Sequence, residues 1–423
     1  MRCFIHRMLL LLVHAGCTFD NGAMENAQFY KSSAQGDPSA ATMPLISDSF
    51  DPYEFISSVP SLLGFYPAES VVLAGFVESS PTGHSDGYGG TASTAVLGPV
   101  GRVDIDDAAG LREIAEAFSS QPCILVLAVV VSEFGDSEGA RAVEALEGLY
   151  GVPIALAWTI ERIEPGQTYR LLHMNRNLAV RQTPAQWRGG CLGGTLHTKA
   201  LHRYAAAGVV PELSREDLYA SFEPEAAAIV PPVLEHEQRL DRLEADFATG
   251  RDLDAVLSAS SPRELVPDVA REFHEAVNGL DGLAQTEARL SRTHCQAYWN
   301  SWECLWKLCA SDNSRDLVFY ELFCEWGDDV ADPVSDAPYR DALLALSRIA
   351  RGSARSNALC VFAVVCIHDG LVPLATAALR VAYDNHPEHT LSRLMLAALN
   401  QGKSKELMDT LRRGVASYVE APE

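Results

Sequence analysis

Read along the chain, apolar and polar positions fall into two regimes. From Asp51 to about residue 175, short continuous apolar runs alternate with helical spacing, whereas from Glu223 to the end the spacing is helical almost throughout. Asp51-Pro52-Tyr53-Glu54 places a capping acid, a proline at the first helical position and a glutamate in the first turn. It predicts a helix that closes at Gly64 and is barred from continuing by Pro67. The run Ser70 to Val77 predicts a strand covered on both faces, and residues 78–95, rich in Gly, Ser and Thr, a flexible connection. Val100 to Ile105 alternates, with Arg102 and Asp104 on one face, and Asp107 caps a helix over 108–119. Cys123–Val131 is the strongest strand signal. A helix over 137–149 and strands over 153–160 and 169–174 follow, then a glycine-rich turn over 188–195 and a helix over 196–207.

Strand, helix, strand, helix, strand implies crossover connections. The predicted fold is an α/β N-terminal domain with a mostly parallel sheet, followed by an all-α C-terminal domain ending in tetratricopeptide-like helix pairs. The predicted organisation is a disordered lead-in or signal-like segment over 1–46, the sheet domain over 47–210, a helical region over 211–350 and the repeat-like end over 351–418. Helices are expected near 233–248, 263–277, 294–310, 314–326 and 339–350. Others follow near 354–368, 372–384, 388–400 and 404–417, and the Gly370–Gly402 spacing lies near the repeat period of about 34 residues.

Composition narrows the function classes. With 33 basic against 56 acidic residues, net -23, and no Lys/Arg cluster, the chain repels phosphate backbones, so no nucleic-acid partner is expected. Apolar runs fall short of the ~20 residues of a membrane span, so no integral membrane contact is expected either. Ten cysteines without Cys-x-x-Cys spacing, several in apolar helical context, read as free thiols of a reducing, cytoplasmic compartment. The alternative is a lipid anchor at Cys17, since a basic Met1–Arg7, an apolar Met8–Val13 and Ala15-Gly16-Cys17 are similar to a lipoprotein signal. Its apolar core falls short of the usual 7–15 residues, roughly, and a start at Met24 or Met43 explains the same letters.

The ordered motifs Leu63-Gly64-Phe65-Tyr66-Pro67-Ala68-Glu69-Ser70-Val71-Val72, Gly98 to Arg102 with Asp104, and Ala207-Gly208-Val209-Val210 with Leu213 to Leu218 resemble the actinobacterial family of unknown function numbered 4192. Arg340 to Leu344 and Ala375 to Leu399 resemble its helical end, so the likeness spans roughly 45–415. It implies a bacterial cytoplasmic protein and brings no activity with it. The cysteine cluster of that family is reduced here, in Tyr169–Thr195, to Cys191.

Candidate chemistry is sparse. In a parallel sheet ligands bind beyond strand carboxyl ends, here near Val77–Glu78, Asp104–Asp107 and Ser132–Gly135. The candidate ligand-binding residues are Ser70, Arg102, Asp104 and Asp106, with Gly190 and Gly193 of the glycine-rich turn, whose amides can hold an anion. Arg102 and Asp104 equally suit a structural ion pair, and the glycines a linker. No Gly-x-Gly-x-x-Gly, Walker lysine or Gly-x-Ser-x-Gly occurs, no catalytic residue is assigned, and no cofactor is expected. His197 and His202 lack a signalled partner. His386 and His389 have His-x-x-His spacing without further ligands, so no metal is expected, and Trp299, Trp302 and Trp306 share a face that reads as core. The first functional expectation is a protein-binding or regulatory module acting through the C-terminal helices. The second is an enzyme or small-molecule sensor whose site lies between Gly64–Ser70, Arg102–Asp106 and 189–194.

Overall fold

The fold was obtained as a computed structural model. It describes residues 29–30, 45–46, 50–78, 95–134, 136–175, 183–194, 198–223, 261–280, 292–327 and 336–420. Most of the expected lead-in, the helix expected over 233–248, and His197 lie outside them. The chain divides between Asp217 and Leu218 into a sheet unit and a helical unit.

The sheet unit begins with a two-residue antiparallel pairing, β1 (Phe29–Tyr30) with β2 (Leu45–Ile46), inside the stretch expected to be a structureless lead-in. Helix α1 (Pro52–Leu63) is capped as its sequence dictates: Asp51 accepts a hydrogen bond from the Tyr53 amide at 3.0 Å, and Gly64 ends the helix at φ 82, a left-handed turn that a side chain resists. The main sheet comprises β3 (Ser70–Glu78), β4 (Ala95–Asp104), β5 (Cys123–Val131), β6 (Ile154–Ile160), β7 (Thr168–Met174) and β8 (Gly189–Cys191) in the order β4-β3-β5-β6-β7-β8. Helices α2 (Ala108–Ser119) and α3 (Asp136–Gly148) connect β4 to β5 and β5 to β6. The short α4 (Ala185–Arg188) and then α5 (Lys199–Ala206) and α6 (Arg215–Ala220) flank the far edge and the end of the unit.

The sheet corrects the expectation of mostly parallel pairing. Only β5 and β6 pair in parallel; β3 pairs antiparallel with both β4 and β5, β7 with β6, and β8 with β7. The helical crossovers do join strands of one direction, β4, β5 and β6, but β3 is inserted between β4 and β5 and runs the other way. Continuous apolar runs report burial of both faces, and that part holds. On one face α1 lays Phe55, Ile56 and Val59 over Val72, Ala74 and Phe76, while Trp158 donates its indole N–H to the Trp187 carbonyl and Trp187 to that of Phe50, at 2.8 and 3.0 Å. On the other, Leu111, Ala115 and Phe118 of α2 and Ala142, Val143 and Leu146 of α3 cover Val71, Leu73, Val126, Ala128 and Val130.

The helical unit contains α7 (Pro262–Leu280), α8 (Arg292–Ala310), α9 (Asp312–Trp326), α10 (Ala337–Ile349), α11 (Gly352–His368), α12 (Val372–Asn385), α13 (Thr390–Asn400) and α14 (Ser404–Val419). Helix α11 is its centre, buried from Ala358 to Cys366 and packed against α8, α10, α12 and α13. Trp306 of α8 is buried, in keeping with the core reading of its face.

A buried polar network runs through these helices. The Arg315 guanidinium donates to Asp312 at 2.9 Å, to Asp316 at 2.6 Å and to the side-chain oxygen of Asn357 at 2.7 Å. Asn357 donates in turn to the Cys309 carbonyl at 3.0 Å, and its oxygen also meets His389 Nε2 at 3.0 Å. His389 therefore faces inward as the cap of α13, its Nδ1 accepting from the Ser392 amide at 3.3 Å, which assigns the imidazole proton to Nε2. Burial, aided by the nearby Arg315 charge, pushes His389 down to about 4.

Candidate functional site

The carboxyl ends of β4, β5 and β6 meet the starts of β3 and β7 at one end of the sheet, and the side chain that ties them is Glu69. It is the only described non-glycine residue with positive φ, at 40. That conformation costs about 1–2 kcal/mol for an L-residue. What holds it is a set of hydrogen bonds. The Glu69 carboxylate accepts from the Ser132 hydroxyl at 2.8 Å and from the Glu133 amide at 2.7 Å, and its carbonyl accepts from the Ile105 amide at 3.1 Å. Ser132 N–H reaches the Ile160 carbonyl at 3.0 Å, so four strand ends are laced together around one residue.

Beside it, Arg102 pairs with Asp104 at 2.5 Å and donates to the Ala68 carbonyl at 3.2 Å. Register places Ser70 opposite Asp104 and Val72 opposite Arg102, so Ser70, Arg102 and Asp104 share a face. The Ser70 hydroxyl is fully buried, and it and Arg102 Nε have no hydrogen-bond partner. Asp104 is half exposed, at 46%, so the pair is not the covered one its sequence position suggested.

The sheet gathers Ser70, Arg102 and Asp104, and sets exposed Asp106 in the turn that follows. It does not add the glycines. Strands β4 and β8 are opposite edges, so Gly190 stands across the sheet from Arg102. Its missing Cβ is the space taken by Tyr169, whose hydroxyl oxygen is 2.7 Å from where that atom would lie, and Gly193 packs on Tyr53, whose hydroxyl donates to the Gly194 carbonyl at 2.9 Å. Val77–Glu78, expected at the ligand end, lies at the opposite end because β3 runs against β5.

Two further loops are anchored to the same segment. Glu212 accepts from the Tyr66 amide and donates to the Gly64 carbonyl, both at 2.9 Å, and this holds up Val210 and Leu213, exposed at 75% and 81%. Phe134, 81% exposed, follows Glu133 on the loop that Glu69 fixes. Next to Phe134, Glu133 is joined through Arg162 to Glu161 by ion pairs of 3.5 and 3.8 Å that are half exposed and weak. The expected segments Gly64–Ser70 and Ser132–Gly135 contain Glu69, Ser132 and Phe134, but sequence reasoning did not single these residues out, because only the fold shows that residues 64–69 bind both the loop after β5 and Glu212; the Leu63–Val72 motif was the available signal. Among the described residues of the helical unit no large apolar side chain is exposed.

The molecule is thus a mixed α/β sheet protein with a helical C-terminal unit, presenting an acidic, loop-built end with exposed apolar side chains. The chain belongs to the DUF4192 family, whose model, described as a domain of unknown function, matches residues 52–405. No curated protein and no solved structure matches it. No helix among the described residues is long and apolar enough to cross a membrane.

Proposed function

We propose that the protein is a non-enzymatic recognition module that takes a protein segment bearing basic and apolar side chains against the Glu69 end of its sheet. One observation carries the reading: Phe134, Val210 and Leu213 project almost bare from two loops that are both fastened to Gly64–Glu69. Exposed apolar anchors on loops held rigid by a scaffold, inside a charged rim, are the makings of a binding patch. The net charge of -23 favours a basic partner. The C-terminal helices serve in this reading as a support of tetratricopeptide-like pairs; α11 to α14 pack in succession, and Gly370 and Gly402 close the helices before them with positive φ. A cytoplasmic, reducing setting and an actinobacterial source complete the proposal, the former supported by Cys123, Cys191, Cys304, Cys309, Cys324, Cys360 and Cys366, which are free thiols.

A second reading places a small polar ligand at the same end, favoured by the buried, unpartnered Ser70 hydroxyl and Arg102 Nε. Cross-linking mass spectrometry of the tagged chain in its native cell, with native mass spectrometry of the purified protein, separates the two. The first reading expects a partner peptide cross-linked near Phe134 and Leu213, lost in Phe134→Ser/Leu213→Ser at unchanged melting temperature. Recovery of the same partner by that variant refutes it, and a retained small molecule lost in Arg102→Ala supports the second.

A further inference from the structure

The helical unit holds a second constellation, apart from the sheet and unused by the proposed function. Asp336, His368 and Asp369 each offer one donor atom, and the three atoms lie within 4.8 Å of one another. Asp336 stands in the capping position of α10, yet its carboxylate makes no capping bond; it turns to His368 Nδ1 at 2.7 Å. Asp369 lies just beyond the carboxyl end of α11, where the helix dipole favours cations over anions. Both carboxylates are buried, with side-chain exposures of 8% and 2%. Arg340 pairs closely with Asp369 Oδ2, and the Asp336 backbone N–H also donates to the Asp369 carboxylate, which holds the two acids against each other. The Trp326 ring lies parallel to the imidazole with centroids 3.9 Å apart, which fixes the plane of the donor nitrogen.

We propose that Asp336, His368 and Asp369 form a binding site for a divalent transition metal of the zinc type. One imidazole nitrogen and two carboxylate oxygens are donors such an ion accepts at about 2.0–2.2 Å, which puts the donors themselves roughly 3–3.5 Å apart. The Asp336–His368 pair, at 2.7 Å, would open slightly and exchange its hydrogen bond for two bonds to the ion, with the Asp369 oxygen already within 4.8 Å of both. Arg340 then acts as an outer partner that orients the Asp369 carboxylate, as second-shell groups commonly do, and Trp326 as an apolar wall. The site joins the start of α10 to the end of α11, so the ion would fasten two helices of the central pack.

Cobalt(II) is the probe, titrated into the metal-free, reduced full chain and then displaced by zinc. The expected signature is weak visible absorption without the near-ultraviolet thiolate band, together with tryptophan quenching that falls in Trp326→Phe. His368→Gln and Asp336→Asn should each weaken binding at least about tenfold, the lower end of what loss of even an outer partner does. A thiolate band, unchanged affinity in both variants, or no saturable binding at micromolar cobalt each overturns the assignment. Circular dichroism of the metal-free variants checks their folding; if one fails to fold, the other decides, and if both fail, the wild-type spectrum does.

Discussion

At the scale of single residues, Glu69 joins strain to bonding. Glu69→Ala keeps the strained φ and loses two charge-assisted hydrogen bonds, so urea denaturation should show a loss of about 2–3 kcal/mol. Glu69→Gly also loses the bonds but relieves the backbone, and should fall short of the alanine variant's loss by about 1 kcal/mol. Arg102→Ala should cost only about 1 kcal/mol, since Asp104 is half in water and what is lost is a screened pair and one carbonyl bond. A buried pair would cost several times more. His389 gives a pH signature. Its folded value of about 4 lies below the ordinary imidazole value of 6.5, so the unfolded chain binds more protons between those limits and stability rises with pH across them. The shift corresponds to at most about 3 kcal/mol, and denaturation midpoints at pH 4.5 and 7 should differ less in His389→Gln than in wild type. Residue-level signals were legible where they are local: Asp51, Gly64 and Asp107 terminate helices as their sequence neighbours require. The Arg315–Asn357–His389 network was not, because its members lie 32 and 42 residues apart and nothing local ties them.

At the scale of elements, the sequence carried strands β3 to β7, β4 starting five residues late, and the covering of both sheet faces, but it read β8 as a glycine-rich turn. It did not carry their direction, since a run such as Val71–Val77 has the same apolar content whichever way its neighbours point. The inserted β3 decided that, and with it which ends share a site: Asp104 and Ser132 came together and Val77 did not. Close approach of α3 to β5 is a checkable product of the same packing. A Cβ on Gly139 would collide with Val130 Cγ1, so Gly139→Ala, though it raises helix propensity, should destabilise by about 1–3 kcal/mol, read as a lower thermal midpoint.

At the scale of the whole molecule, the net charge of -23 sets a repulsion that folding must overcome. Raising sodium chloride from about 20 mM to 500 mM shortens the Debye length to a few ångströms and should raise the melting temperature; a fall would mean that attractive surface pairs outweigh the repulsion. The antiparallel pairing of β3 with β4 has a practical sequel. Glu78 pairs with Ala95 at the end of the sheet remote from Glu69, so both ends of the sequence that joins these strands are anchored away from the Glu69 end. A fluorescent reporter or affinity tag spliced between Glu78 and Ala95 would leave the opposite end untouched, whereas one placed after Ser132 would sit on the surface it was meant to observe.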